Sequence, residues 1–199
     1  MNHLKNLRMS IEAGLLISVG CTIYLACDIP YIGALLFSVA LCTICNMGMS
    51  LFTGKVCYAQ SYRDIPPLLL CILGNFIGCF VGGTLIRFAL PNIAAKATAL
   101  CSGKILKAPL QVFILAIFCG MLMAIAVRTY KKFDGFAKYT GIFTCIPTFI
   151  LCGFEHSIAD AGYFFLSDSL PLLDVAVFMI CALLGNSVGG LVLSRKQNN

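Results

Sequence analysis

Charge is scarce in this chain: 11% of its 199 residues are Asp, Glu, Lys or Arg, and there are only two histidines. A soluble domain carries about 25% charged residues. The scarcity excludes a solvated globular surface and any soluble basic face able to meet a nucleic-acid duplex. No stretch is polar enough to form a separate soluble domain. A small-residue cleavage site is also missing after the basic residues 1–10, and the apolar run behind them is long enough to span, so it is expected to stay as a first span. No cofactor motif and no paired Asn-Pro-Ala loops occur. No cofactor, metal or enzymatic activity is expected.

Hydrophobic residues make up 60% of the chain, and the mean hydropathy is +0.95. An apolar stretch of about 20 residues crosses a bilayer. Six such spans are expected, near residues 9–27, 31–50, 65–90, 108–128, 138–155 and 172–194. The predicted fold is an all-α integral membrane protein whose single transmembrane domain covers residues 1–199, with a helix start at Ile65-Pro66-Pro67 because proline is tolerated in the first turn.

Basic residues near span ends set orientation. With both termini cytoplasmic, the inner side collects Lys5, Arg8, Lys55, Arg63, Arg128, Lys131, Lys132, Lys138, Arg195 and Lys196. The outer side keeps Arg87, Lys96, Lys104 and Lys107 in one cationic loop. The net charge of +6 therefore reads as topology and attraction for anions.

Most of the twelve cysteines fall in apolar spans, where a thiol packs as a small hydrophobe. Cys101, in the outer loop, is expected to be the most exposed. Cys42 and Cys45 match the C-x-x-C spacing, but that chemistry needs an exposed helix start. Packing is the preferred reading, with a membrane thiol oxidoreductase as the alternative it displaces.

Two short interruptions, Leu51-Phe52-Thr53-Gly54 and Gly153-Phe154-Glu155-His156, cut the second and fifth spans. A lipid-embedded helix is broken only where its freed backbone groups face protein or line a cavity. The halves also repeat. Leu-Gly-Asn-x-x-Gly occurs around Asn75 and again around Asn186, 186 − 75 = 111 positions on, and Phe52 and Phe154 are 154 − 52 = 102 positions apart. Three crossings per half (residues 9–90 and 108–194) turn the second copy upside down, which predicts an inverted repeat with its site near the midplane. The repeated glycines read as close helix contacts, and Asn75 and Asn186 as structural interhelical hydrogen-bond donors.

These residues resemble the formate/nitrite transporter family, which includes formate, nitrite and hydrosulfide channels. The matching runs are Leu51-Phe52-Thr53, Gly153-Phe154-Glu155-His156-Ser157-Ile158-Ala159 and the two Gly-Asn-x-x-Gly motifs. The resemblance implies an aquaporin-like six-helix protomer with one pore, assembled as a homopentamer in the cell membrane. The chain departs from the family pattern at Asp160 and Gly120, each where asparagine is usual, and it is short for the family.

His156 is the only histidine in the membrane body, and an ionisable ring at that depth is a functional candidate able to exchange a proton near neutral pH. The resemblance implies the same role. Thr53 can offer its hydroxyl to a permeating anion or to the histidine, and can equally satisfy loop carbonyls. Glu155 and Asp160 are read as structural anchors, because a carboxylate lining the pore would repel an anion and Asp160 needs a donor. Register with the family selects Phe37, Leu41, Leu51, Phe52 and Phe149 as an apolar constriction. It also matches Lys104, with Lys107 as its near alternative, to the lysine that attracts the anion; Lys96 is read as a solvated surface residue. The expected function is a channel or proton-coupled transporter for small monovalent anions such as formate, nitrite, hydrosulfide or a short carboxylate. The alternative within transport is a neutral-solute pore.

Overall fold

The computed structural model describes residues 3–194, so Arg195 and Lys196 lie outside the described residues. The described chain is helical throughout: α1 (His3–Ala26), α2 (Pro30–Asn46), α3 (Phe52–Lys55), α4 (Ile65–Ala89), α5 (Pro91–Ile105), α6 (Pro109–Lys132), α7 (Thr140–Leu151), α8 (Ser157–Leu166) and α9 (Leu172–Val192). Proline occupies the first turn of α2, α4, α5 and α6, where its missing N–H breaks no hydrogen bond. By length and apolarity α1, α4, α6 and α9 can each cross a bilayer alone. The 17-residue α2 is shorter, and α7 and α8 have 12 and 10 residues.

The two interruptions have the same local cause. Gly48 and Gly153 sit at φ +66° and +68°, a conformation glycine adopts without the Cβ penalty. At each of them the preceding helix closes as a Schellman cap: Met49 N–H donates to Ile44 O and Phe154 N–H to Phe149 O, both at 2.9 Å. The first interruption therefore falls at residues 47–51, with Phe52, Thr53 and Gly54 inside α3 rather than in the gap. The segment expected to end at 155 resumes as α8 and runs to Leu166.

Residues 91–105 form a helix where a loop was expected. Because α5 packs against α8, α4 and α1, Cys101 on its inner face is fully buried. The exposed cysteine is Cys152, at the end of α7.

Two helix pairs carry the body: α1 runs along α4, and α6 along α9. Small residues bring the backbones together. A Cβ on Gly78 would lie 2.1 Å from Ile11 O, and one on Gly189 would lie 1.9 Å from Ile117 O. Gly120 belongs to the same device, since its Cβ would meet Asn186 O at 2.4 Å; the polar side chain usual there in the family has no room. The outer surface is apolar, with Leu35, Leu73, Phe80, Leu85 and Leu184 exposed, while Thr53, Asn75, Glu155, His156, Asp160 and Asn186 are buried. Polar groups inside and large hydrophobes outside define a multi-pass membrane protein.

Gly189→Ala is expected to lower stability by about 1–3 kcal/mol through overpacking at the α6–α9 contact. Gly103→Ala, whose Cβ would meet nothing within 4 Å, serves as the neutral control. Thermal unfolding in detergent checks the pair, and equal midpoints for the two variants would contradict the close contact.

Candidate functional site: a polar pair between two cavities

Each interruption is held by one asparagine. Asn75 on α4 accepts from Phe52 N–H at 2.9 Å and donates to Ser50 O and Ser10 O, both at 2.8 Å. Asn186 on α9 accepts from Ser157 N–H and donates to Glu155 O and Ala116 O, all at 2.8 Å. Each amide meets one N–H and one C=O at its break, together with one carbonyl of the neighbouring long helix, Ser10 O of α1 or Ala116 O of α6. The matched bonds correct the repeat register near the breaks. Ser157 corresponds to Phe52 (157 − 52 = 105) and Glu155 to Ser50 (155 − 50 = 105). Phe154 is therefore the mate of Met49, not of Phe52, and His156 is the mate of Leu51.

His156 caps the N-terminus of α8, its Nδ1 accepting from Ala159 N–H at 2.9 Å. That bond fixes the neutral tautomer with hydrogen on Nε2, which lies 2.8 Å from Thr53 Oγ1 and donates to it. The contact joins the two half-broken segments. Phe149 stacks on the imidazole with centroids 5.3 Å apart, and Phe37 meets Phe149 edge-on at 6.4 Å.

Lys104 and Lys107 are not solvated loop cations, whereas Lys96 is exposed as expected. Lys104 Nζ bonds Glu155 Oε2 and lies 2.8 Å from Asp160 Oδ1, while Lys107 Nζ bonds Glu155 Oε1. Lys96 pairs with Asp28 at 3.4 Å on the surface, and Arg87 donates to Ser167 O at 2.9 Å. The charges of Lys96, Lys104 and Lys107 are thus paired with acids, as burial of Lys104 and Lys107 requires.

Two cavities that share no lining residue lie near the pair: His156 lines one, and Leu51 and Gly54, on either side of Phe52 and Thr53 in the chain, line the other. The one beside α5, about 350 Å³, is lined by Phe37, Phe149, His156, Lys104, Lys107 and Asp160, among others. The other, beside α3 and about 270 Å³, is lined by Leu41, Ile44, Leu51, Gly54, Lys55 and Lys131, among others. Phe37 and Leu41, about one turn apart on α2, line different cavities. Of the five expected constriction residues, Phe37, Leu41, Leu51 and Phe149 border the cavities. Phe52 does not: it borders an apolar cleft between α4 and α9, with Leu68 and Leu183.

Sequence reasoning missed Ile44 and Tyr163 as cavity residues. Ile44 is the repeat mate of Phe149 (149 − 44 = 105), and aligning Gly48 with Gly153 would have found it. Cys42 and Cys45 lie on α2 without a disulfide partner, and all twelve thiols are free.

Two helix breaks joined by a buried histidine–threonine pair, with separate cavities nearby, are the parts of a membrane transport protein. The chain belongs to the formate/nitrite transporter family, whose model matches residues 1–195. It is 26% identical over 185 residues to the nitrite transporter NirC of Escherichia coli (strain K12), covering 82% of this chain and 68% of that protein. It is 27% identical over 215 residues to the uncharacterized transporter YwcJ of Bacillus subtilis (strain 168), covering 92% and 84%. The fold is similar to a solved FNT family ion channel, with TM-score 0.88 and 22% identity over 97% of this chain and 88% of that one. It is also similar to a pentameric formate channel with formate bound, with TM-score 0.83 and 23% identity over 96% and 93%.

Thr53→Val keeps the shape of the side chain and leaves Nε2–H without an acceptor, so stability should fall by about 1–3 kcal/mol. Thr53→Ser should restore it. Thermal midpoints in detergent read both, and an unchanged Val variant would contradict the hydrogen bond.

Proposed function

We propose that this chain is a channel or proton-coupled transporter for small monovalent anions such as formate, nitrite or hydrosulfide, acting as a homopentamer with one pore in each protomer. The observation that carries this reading is the pair of cavities ending on either side of His156 and Thr53 within an apolar wall. A bare anion in that wall would lose its hydration without replacement, at a cost of several kcal/mol. A permeant that gains a proton avoids most of the cost. His156 Nε2–H and Thr53 Oγ1 are proposed to meet the permeant between the cavities and to orient its proton. Phe37, Leu41, Leu51 and Phe149 set the width around them.

The topology that supports this reading has six crossings within one domain: α1, α2 continued by α3, α4, α6, α7 continued by α8, and α9. Each half then crosses three times, and the second copy is inverted. The Schellman caps and asparagine bonds, repeated at a spacing of 105 residues, support that relation. An even number of crossings puts both termini on one side. The basic residues Lys55, Arg128, Lys131 and Lys132, beside the α3 cavity or close to it, favour the cytoplasmic side. The α5 cavity would then open outward.

Proteoliposomes test the reading. The wild-type protein should take up formate or nitrite well above protein-free liposomes, and His156→Phe should lower that flux by about tenfold or more, equivalent to about 1.4 kcal/mol. Leu41→Ala should raise lactate flux relative to formate. Pentamers should survive in both variants by size. Undiminished flux in an intact His156→Phe pentamer would overturn the role of the pair, and osmotic water flow without anion flux would favour a neutral-solute pore.

A further inference from the structure

Four charged groups meet at the α5 cavity, and their connections are unequal. Glu155 is fully buried, and each of its oxygens holds an ammonium group, Oε2 that of Lys104 and Oε1 that of Lys107. Asp160 is also buried, its carboxyl beside that of Glu155, and its Oδ1 is engaged by Lys104 at 2.8 Å. Its Oδ2 has no hydrogen-bond partner in the protein. Asp160 lines the cavity together with Lys104, Lys107 and His156. With both acids ionised the charges sum to 2 − 2 = 0. A neutral cluster has no net attraction for an anion.

The other groups facing Asp160 do not change that sum. From α1 comes Cys21, from α5 Cys101, from α6 Cys119 and from its own helix Tyr163. Cys79 of α4 approaches the same helix through Ile158 O. Thiols and phenols are uncharged at neutral pH by their ordinary pKa values of about 8.5 and 10. The neighbouring breaks and α9 contribute the neutral side chains of Thr53 and Asn186 and the singly protonated, neutral ring of His156.

We infer that Asp160 is the proton-binding site coupled to anion binding in the α5 cavity. The inference rests on the small-anion reading above and adds where the permeant's proton comes from. A proton from water in the cavity adds to Oδ2 and converts the carboxylate to a carboxylic acid. The cluster becomes net +1, and the buried Oδ2, which had no partner, gains an O–H able to donate. A monovalent anion then enters and restores neutrality. Passing that proton from Oδ2 to a formate oxygen yields formic acid and regenerates the carboxylate, so the species that reaches His156 is uncharged and the cluster is ready to be protonated again. Glu155 cannot take this role, because both of its oxygens are held by ammonium groups. The asparagine usual at this position in the family would imitate the protonated acid permanently, with its amide carrying the donor. Asp160 makes the same arrangement dependent on a proton.

Isothermal titration of formate into detergent-purified protein, run in buffers of different ionisation enthalpy, measures proton uptake directly. The wild type should take up about one proton per protomer at pH 7 as formate binds, and its affinity should weaken as pH rises. Asp160→Asn should bind formate with no proton uptake and with an affinity that changes less than about twofold between about pH 6 and 8. Formate binding by the wild type without proton uptake would overturn the inference with no variant needed, and so would undiminished uptake by Asp160→Asn. A wild type that transports and binds no small anion at all would remove the functional reading itself, and this inference with it.

Discussion

A membrane-embedded backbone that stops being helical must find partners for the amides and carbonyls it frees, since lipid offers none. In this chain two asparagine side chains supply them. Asn75 and Asn186 each take one N–H and two C=O groups, all within 2.8 to 2.9 Å, and each reaches from one long helix across a break to the backbone of another. Everything at the site depends on those clamps. They fix the start of α3, which presents Thr53, and the start of α8, which presents His156. They can reach only because Gly78 and Gly189 let the paired long helices touch backbone to backbone.

The same equivalent positions carry different chemistry in the two halves. Where one break presents Leu51, the other presents His156; where one presents Ser50, the other presents Glu155 with two lysines attached. The asparagine clamps thus repeat, while the buried acids belong to one cavity only. The α5 cavity has the buried acids and their lysines, whereas the α3 cavity has Lys55 and Lys131 and an apolar end at Leu41 and Leu51. The histidine is neutral in this arrangement, because a second ring proton would have to displace Ala159 N–H from Nδ1 and open the cap of α8.

Much of this was legible in the sequence, and the misses have physical reasons. Scarce charge and high hydropathy identify the class, and the repeated Leu-Gly-Asn-x-x-Gly marks both clamps before any partner is visible. The Phe52 ring borders an apolar cleft instead of either cavity, since a run of letters does not say which face of a four-residue helix points there, and its backbone N–H is held by Asn75. Lys104 looked like a free loop cation because its partners, Glu155 and Asp160, lie 51 and 56 positions away (155 − 104 and 160 − 104). Cys101 looked exposed for the same reason: residues 91–105 fold into a helix whose inner face is covered by segments distant in sequence. Long-range pairing of charge is what the sequence pattern could not carry.

The most direct test of neutral passage is the stoichiometry of flux. Proteoliposomes holding an internal pH dye and a potassium gradient with valinomycin report proton movement and sensitivity to voltage in one experiment. If the permeant crosses the wall between the cavities only with its proton, an inward formate gradient acidifies the lumen by about one proton per formate, and the initial rate does not change when the membrane potential is set from about zero to about 100 mV, a field worth about 2.3 kcal/mol on an uncompensated charge. A formate flux that follows the applied voltage and leaves the lumenal pH unchanged would contradict it.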